Sequence, residues 1–211
     1  MLWNGINTEN IILLVSRLIV LLICLPVHEC AHAFTADKLG DPTARQMGRI
    51  TLNPFKHLDI YGTLAIILLG VGYAKPVPVN MRYFKHPKRD FAITAVAGPL
   101  SNLLMAVLFL LIARFVTVNS QFTYYLYLGL FYASFINVSL AIFNLIPIPP
   151  LDGSRVLTAV LPDRIYVKVM KYERYSMLAL FAVIIICNRL GYSPVSSITN
   201  AVFQHMLWIL G

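Results

Sequence analysis

The sequence predicts an α-helical polytopic membrane protein: a three-helix core, a re-entrant extended or hairpin segment between the first two core helices, and one or two C-terminal helices. Three observations lead there. Hydrophobic residues make up 58% of the 211 and charged residues only 12%, with a mean hydropathy of +0.73, a balance too apolar for a water-soluble domain. Three runs nearly free of charge are each long enough to cross about 30 Å of hydrocarbon at about 1.5 Å per residue. Most basic residues lie in the loops between these runs.

The first run, residues 11–34, is interrupted only by Arg17 and by His28-Glu29-Cys30-Ala31-His32. It has no basic segment before it and contains that polar cluster, so it reads as a retained helix rather than a cleaved leader. Residues 91–113 and 122–149 are the second and third core helices. Between the first two lies the segment of about residues 50–80, whose apolar centre, 61–74, holds Gly62, Gly70 and Gly72. It is too short and glycine-rich to span as a helix, and irregular backbone at membrane depth must be covered by protein or wet, so a re-entrant hairpin is expected. Its flanks, 48–54 and 75–79, read as short extended pieces. A shorter run ends in Asn188-Arg189 and predicts a helix over about 172–190, while 198–210 is apolar but short and is expected to lie at the interface or to cover the bundle. With no internal repeat of helical segments and no loop long enough for a soluble domain, residues 1–211 read as one membrane domain.

The charge pattern sets an orientation. Residues 35–60, 75–90 and 151–175 together carry 14 of the 17 basic residues, and 114–121 carry only Arg114. If 61–74 re-enters rather than crosses, all three basic loops share one side, which the positive-inside rule makes cytoplasmic, with the N-terminus external. The same topology accounts for the formal charge of +8 without nucleic acid, for which no motif is present. Cys24, Cys30 and Cys187 form no CxxC pair and sit in apolar sequence, so they read as buried thiols.

Function concentrates at residues 28–32. On a helix, positions four apart lie one turn above each other, so His28 and His32 can hold one Zn²⁺ while Glu29 acts as a general base toward water. Three ionisable side chains in one apolar turn are costly unless they pair, bind metal or face a wet cavity. A catalytic zinc needs a third protein ligand. The three-histidine extension would require glycine at Thr35 and histidine at Lys38, and the only glutamate after Glu29 is Glu173. An aspartate is left. Asp37, Asp41, Asp59 and Asp90 flank basic residues and read as solvated charges or turn formers, and Asp163, after Leu161-Pro162, reads as a helix cap. Asp152 ends the stretch Asn144-Leu145-Ile146-Pro147-Ile148-Pro149-Pro150-Leu151-Asp152-Gly153, where prolines break the helix and glycine permits a turn. It can aim a carboxylate back at the first helix, or it can be an aspartate at an interfacial turn. His57, His86 and His205 lie in basic or interfacial segments and are not expected to bind metal.

His28-Glu29-x-x-His32 followed by Asn144-x-x-Pro147-x-x-x-Leu151-Asp152-Gly153 resembles the paired signature of the site-2 protease family of intramembrane zinc metalloproteases. Gly98-Pro99-Leu100-Ser101-Asn102 is similar to that family's Gly-Pro-x-x-Asn element, and Asn53-Pro54 with Lys75-Pro76-Val77-Pro78-Val79 to the intervening segment of its small bacterial members. The resemblance covers about residues 11–175. It implies a three-helix core in a bacterial cytoplasmic membrane, one Zn²⁺ toward the cytoplasm, His28, His32 and Asp152 as ligands and Glu29 as the base. It also implies cleavage within or near the transmembrane segments of substrate proteins, with no PDZ or CBS domain evident here. Asn102 and Asn144, polar groups in apolar spans, are candidate substrate-binding residues through these motifs, whereas Asn137 reads as a helix-to-helix hydrogen-bonding group. The rival class is a zinc-binding membrane protein or transporter, for which Glu29 would be superfluous and no inverted repeat is evident.

Overall fold

Three long helices form the centre of the molecule because a chain surrounded by lipid must satisfy its backbone polar groups internally. In the computed structural model, which describes residues 8–59, 62, 64, 75–191 and 193–210, these are α1 (Thr8–Lys38), α2 (Pro87–Arg114) and α3 (Gln121–Asn144). At 31, 28 and 24 residues, all are long and apolar enough to cross a bilayer. Their outer faces carry exposed Ile11, Val15, Leu22, Leu104, Leu108 and Leu126. Large apolar side chains displayed outward on long apolar helices suit a lipid surround, and the protein is an integral membrane protein. Among the described residues no strand occurs. The re-entrant hairpin expected over 61–74 lies outside the described residues.

The helices are shaped by local sequence. α1 widens into a π-turn at Val20–Cys24, just before Pro26, which has no N–H to give to the carbonyl one turn back. α2 starts at Pro87, whose fixed φ suits a first turn, and Asp90 accepts the His86 N–H at 3.0 Å. α3 starts in a capping box made by Ser120 and Thr123. It stops at Asn144, five residues short of the expected end at Pro149. Pro147 drives the residue before it out of the helical region, and Pro149 and Pro150 forbid its return.

α2 packs against both other spans and against α4 (Asp152–Val160). Small residues set the close approaches: Ala106, Ala133 and Ala141 are fully buried. Ser134 Oγ donates across to Ala106 O at 2.9 Å, and Ser16 Oγ donates to Ile12 O at 2.8 Å and to Gly129 O at 3.1 Å. Asn137 behaves as expected of a helix-to-helix group, reaching Cys24 Sγ at 3.2 Å and Ala133 O at 2.8 Å. Cys24, Cys30 and Cys187 are all free thiols.

After α4 come α5 (Asp163–Lys171), α6 (Glu173–Arg189) and α7 (Pro194–Leu210). The last helix starts four residues before its expected boundary and covers the bundle. Phe203 is buried among Ala106, Leu110 and Val138, and its ring meets Phe131 and Phe135 edge-on.

At the other end of the spans, residues 35–59 and 75–91 fold together. Ala36, Phe84 and Phe91 form a small apolar cluster, and Lys75 N donates to His57 O at 2.8 Å. Asp41 and Asp90 are not solvated charges: both are buried. Asp41 accepts from Thr43 N at 3.0 Å and Asn80 N at 2.6 Å, tying the two segments together. His57 is likewise buried, with Nε2 donating to Thr51 O at 2.9 Å.

The close contact of α2 with α3 yields a stability prediction. Ala133→Leu should lower stability in detergent by about 1–3 kcal/mol, because the added side chain must push the helices apart. The lipid-facing substitution Leu104→Ala should stay within about 0.5 kcal/mol of the parent. Thermal unfolding of the purified protein checks both.

Candidate metal centre

The geometry starts from α1. His28 and His32 stand one turn apart on its inward face and both are buried, with their rings edge to face and centroids 4.6 Å apart. Their Nε2 atoms approach to 3.0 Å. The turn after α3 then returns the chain so that Asp152, the first residue of α4, points at the same spot. Its Oδ2 lies 3.3 Å from His28 Nε2 and 3.2 Å from His32 Nε2.

Three donor atoms thus form a triangle with sides of 3.0–3.3 Å. A tetrahedral ion with ligands at about 2.0–2.2 Å would hold its donors about 3.3–3.6 Å apart, so the set fits a metal closely. Among the described residues, His28, His32 and Asp152 are the group able to hold one. The tautomer fits too. His32 Nδ1 donates to Thr94 O at 2.7 Å, which turns the ring and leaves the Nε2 lone pair directed at the triangle. His28 Nδ1 is buried without a protein partner.

Two glycines make the approach possible. A Cβ built on Gly98 would sit 2.3 Å from His32 Nε2 and 2.6 Å from His28 Cε1, so α2 offers the imidazoles a recess that any side chain would fill. A Cβ on Gly153 would sit 2.2 Å from Leu145 O, so only glycine lets the chain fold tightly enough behind Asp152. Gly98 and Thr94 are neighbours of the donor group that sequence reasoning did not single out. Gly98 lay inside the quoted Gly-Pro element, whereas Thr94 acts through its carbonyl, which no side-chain pattern could mark.

Glu29 is buried beside the triangle, and its Oε2 accepts the Val77 N–H at 3.1 Å. Val77 sits between Pro76 and Pro78, neither of which can donate. Asn102, one turn beyond Gly98 on α2, is buried with its Oδ1 unpartnered by protein. Asn144 is half-buried at the end of α3. Cys30, His57, His86 and His205 stand outside the donor group, and the His205 ring stacks on Trp208.

The sequence matches peptidase family M50 over residues 16–130 and 120–187. The protein of Bacillus subtilis named "Putative zinc metalloprotease YwhC" is 36% identical over 211 residues, covering 90% of this chain and 93% of that one. "Putative zinc metalloprotease Rip2" of Mycolicibacterium smegmatis is 33% identical over 137 residues, or 63% of this chain and 52% of that protein. "Zinc metalloprotease MJ0392" of Methanocaldococcus jannaschii is 27% identical over 146 residues, 69% of this chain and 34% of its own. No solved structure gives a significant match. A match running through all three spans, with a relative aligned along nearly its whole length, shows that the chain belongs to peptidase family M50.

Proposed function

We propose that the protein is an intramembrane zinc endopeptidase that hydrolyses peptide bonds within or near transmembrane segments of substrate membrane proteins. The observation that carries this reading is the meeting of His28 Nε2, His32 Nε2 and Asp152 Oδ2 beside the Glu29 carboxylate, amid apolar spanning helices. In this reading His28, His32 and Asp152 hold one Zn²⁺ per chain. Zinc, when bound, makes a water more acidic and polarises a carbonyl oxygen. Glu29 takes a proton from the attacking water and passes it to the leaving nitrogen. Thr94 O keeps the His32 ring in the tautomer whose Nε2 is free to bind, and Gly98 keeps the recess open.

A transmembrane helix hides its carbonyls in its own hydrogen bonds, so cleavage requires local unwinding and then partners for the freed groups. Asn102 and Asn144 are proposed as those partners, with an edge of residues 75–79 outside them. The unpartnered Oδ1 of Asn102 supports its part. Since the Val77 N–H lies on Glu29, that edge becomes available at Val77 only when the contact is released. In this reading the protein sits in a bacterial cytoplasmic membrane with its N-terminus external and the centre toward the cytoplasm, an orientation supported by the positive-inside distribution of the basic loops.

Metal content and cleavage of a transmembrane model substrate, measured together, test the assignment. Glu29→Gln should keep about one zinc and lose cleavage by about 100- to 10 000-fold, because the base is not a ligand. Asp152→Ala and Gly98→Ala should both lose zinc, the first by removing a donor and the second by filling the recess. Full zinc content in Asp152→Ala would remove the third ligand, and parental cleavage by Glu29→Gln would overturn the peptidase reading.

Asn102→Ala and Asn144→Ala should slow cleavage with zinc content intact, and a glycine near the scissile bond of the substrate should restore part of the rate. Normal cleavage by both variants would make these asparagines packing groups. Orientation is tested separately with single cysteines in a background lacking Cys24, Cys30 and Cys187. Positions 56, 88 and 168 should resist an impermeant external label and position 120 should react; reaction at 88 but not 56 would show that 61–74 crosses the membrane.

A further inference from the structure

Helix α5, Asp163–Lys171, contributes nothing to the metal centre and lies outside the three-span bundle. Its main contacts are with α4 and α6, its neighbours along the chain. Arg164, Lys168 and Lys171 are all exposed and recur at i, i+4 and i+7, which gathers them into one narrow stripe. Ile165 and Val167 border that stripe on its two sides, and they are 49% and 64% exposed. Water would be a poor environment for those flanks and an apolar protein face a poor one for the stripe. A surface that is hydrocarbon at one depth and anionic at the next satisfies both.

The position of the helix agrees. Lys88 Nζ, in the first turn of spanning helix α2, reaches Leu161 O at 3.5 Å. The corner leading into α5 therefore stands level with the end of a membrane span, at the same end of α2 as the metal centre. Immediately beyond α5, Tyr172 and Tyr175 are 57% and 67% exposed with ring centroids 6.4 Å apart, and exposed tyrosines are the side chains that settle at headgroup depth. The acidic residues of this stretch, Asp163 and Glu173, bracket the helix at its two ends in sequence, leaving the stripe itself wholly basic.

We propose that α5 is an interfacial helix that binds anionic phospholipid in the leaflet nearest the metal centre, with Arg164, Lys168 and Lys171 on the headgroup phosphates and Ile165 and Val167 flanking them at the same level, where headgroups meet acyl chains. The inference needs only that the chain is a membrane protein and does not rest on the proteolytic reading.

Amide hydrogen exchange of the full chain tests it in nanodiscs of pure phosphatidylcholine and of phosphatidylcholine with phosphatidylglycerol. Near the surface each basic residue favours anionic lipid by about fivefold, so three together should raise amide protection across 163–171 at least about tenfold in the anionic discs. High salt should abolish that gain. So should the triple substitution Arg164→Gln, Lys168→Gln, Lys171→Gln, which alters exposed side chains and leaves the bundle untouched, while zwitterionic discs containing inorganic phosphate should not reproduce it. Equal protection in the two lipids, or a gain that survives the triple substitution, would overturn the proposal. Protection that appears only when a disc holds two protein copies would also overturn it, by assigning the stripe to a second chain.

Discussion

Three donor atoms within 3.3 Å of one another, inside a bundle whose spans are otherwise nearly free of charge, are the constraint to which the surrounding structure answers. Two imidazoles and a carboxylate brought together in low dielectric are costly unless something shared among them compensates. A bound metal would supply that compensation, and local irregularities in all three spans lie around the approach. The first span carries a π-turn just before the histidines, the second has a glycine where a side chain would strike them, and the third ends early so that Asp152 can turn back. Each gives up some regular helix or buried contact.

The end of the molecule around the centre is built differently from the rest. Across the middle of the bundle, helices meet through alanines, serines and interlocked aromatic rings, and Ser16, Ser134 and Asn137 reach for a neighbour. Around residues 41–59 and 75–90, by contrast, buried polar groups hold irregular backbone in place. Asp41 caps Thr43 and holds Asn80, His57 holds Thr51, and Arg49 Nη2 donates to Lys75 O at 2.6 Å. Buried irregular chain needs its backbone donors and acceptors matched, and these side chains contribute to the matching. The same framework carries Val77 to Glu29, so the proposed base and the polar scaffold are one connected system.

Much of this was legible in the residues. Apolar runs marked the three spans because a membrane demands length and the absence of charge, both of which a linear pattern records. The i, i+4 spacing of His28 and His32 carried their shared face, since helical periodicity is local. The run of prolines before Asp152-Gly153 announced a break, though its start was misplaced by five residues: the reach of Pro147 over the residues before it ends α3 at Asn144. Asp41 and Asp90 were read as solvated charges or turn formers; Asp41 does turn the chain by accepting from Thr43 N, but both are buried, because neighbours in sequence say nothing about what folds over them.

What the sequence determined by itself was therefore local: which segments are helical and apolar, which two histidines share a turn, and where the chain must bend. Tertiary structure alone decided the rest. The distance between Asp152 and the histidines spans more than a hundred residues and depends on how α3 and α4 lean against α2. The recess at Gly98 exists only because α1 crosses there, and the hydrogen bonds from His32 to Thr94 O and from Val77 to Glu29 use backbone atoms that every residue possesses. Side-chain pattern can forecast periodicity, but a backbone carbonyl or an empty volume becomes chemical only when another segment is brought against it.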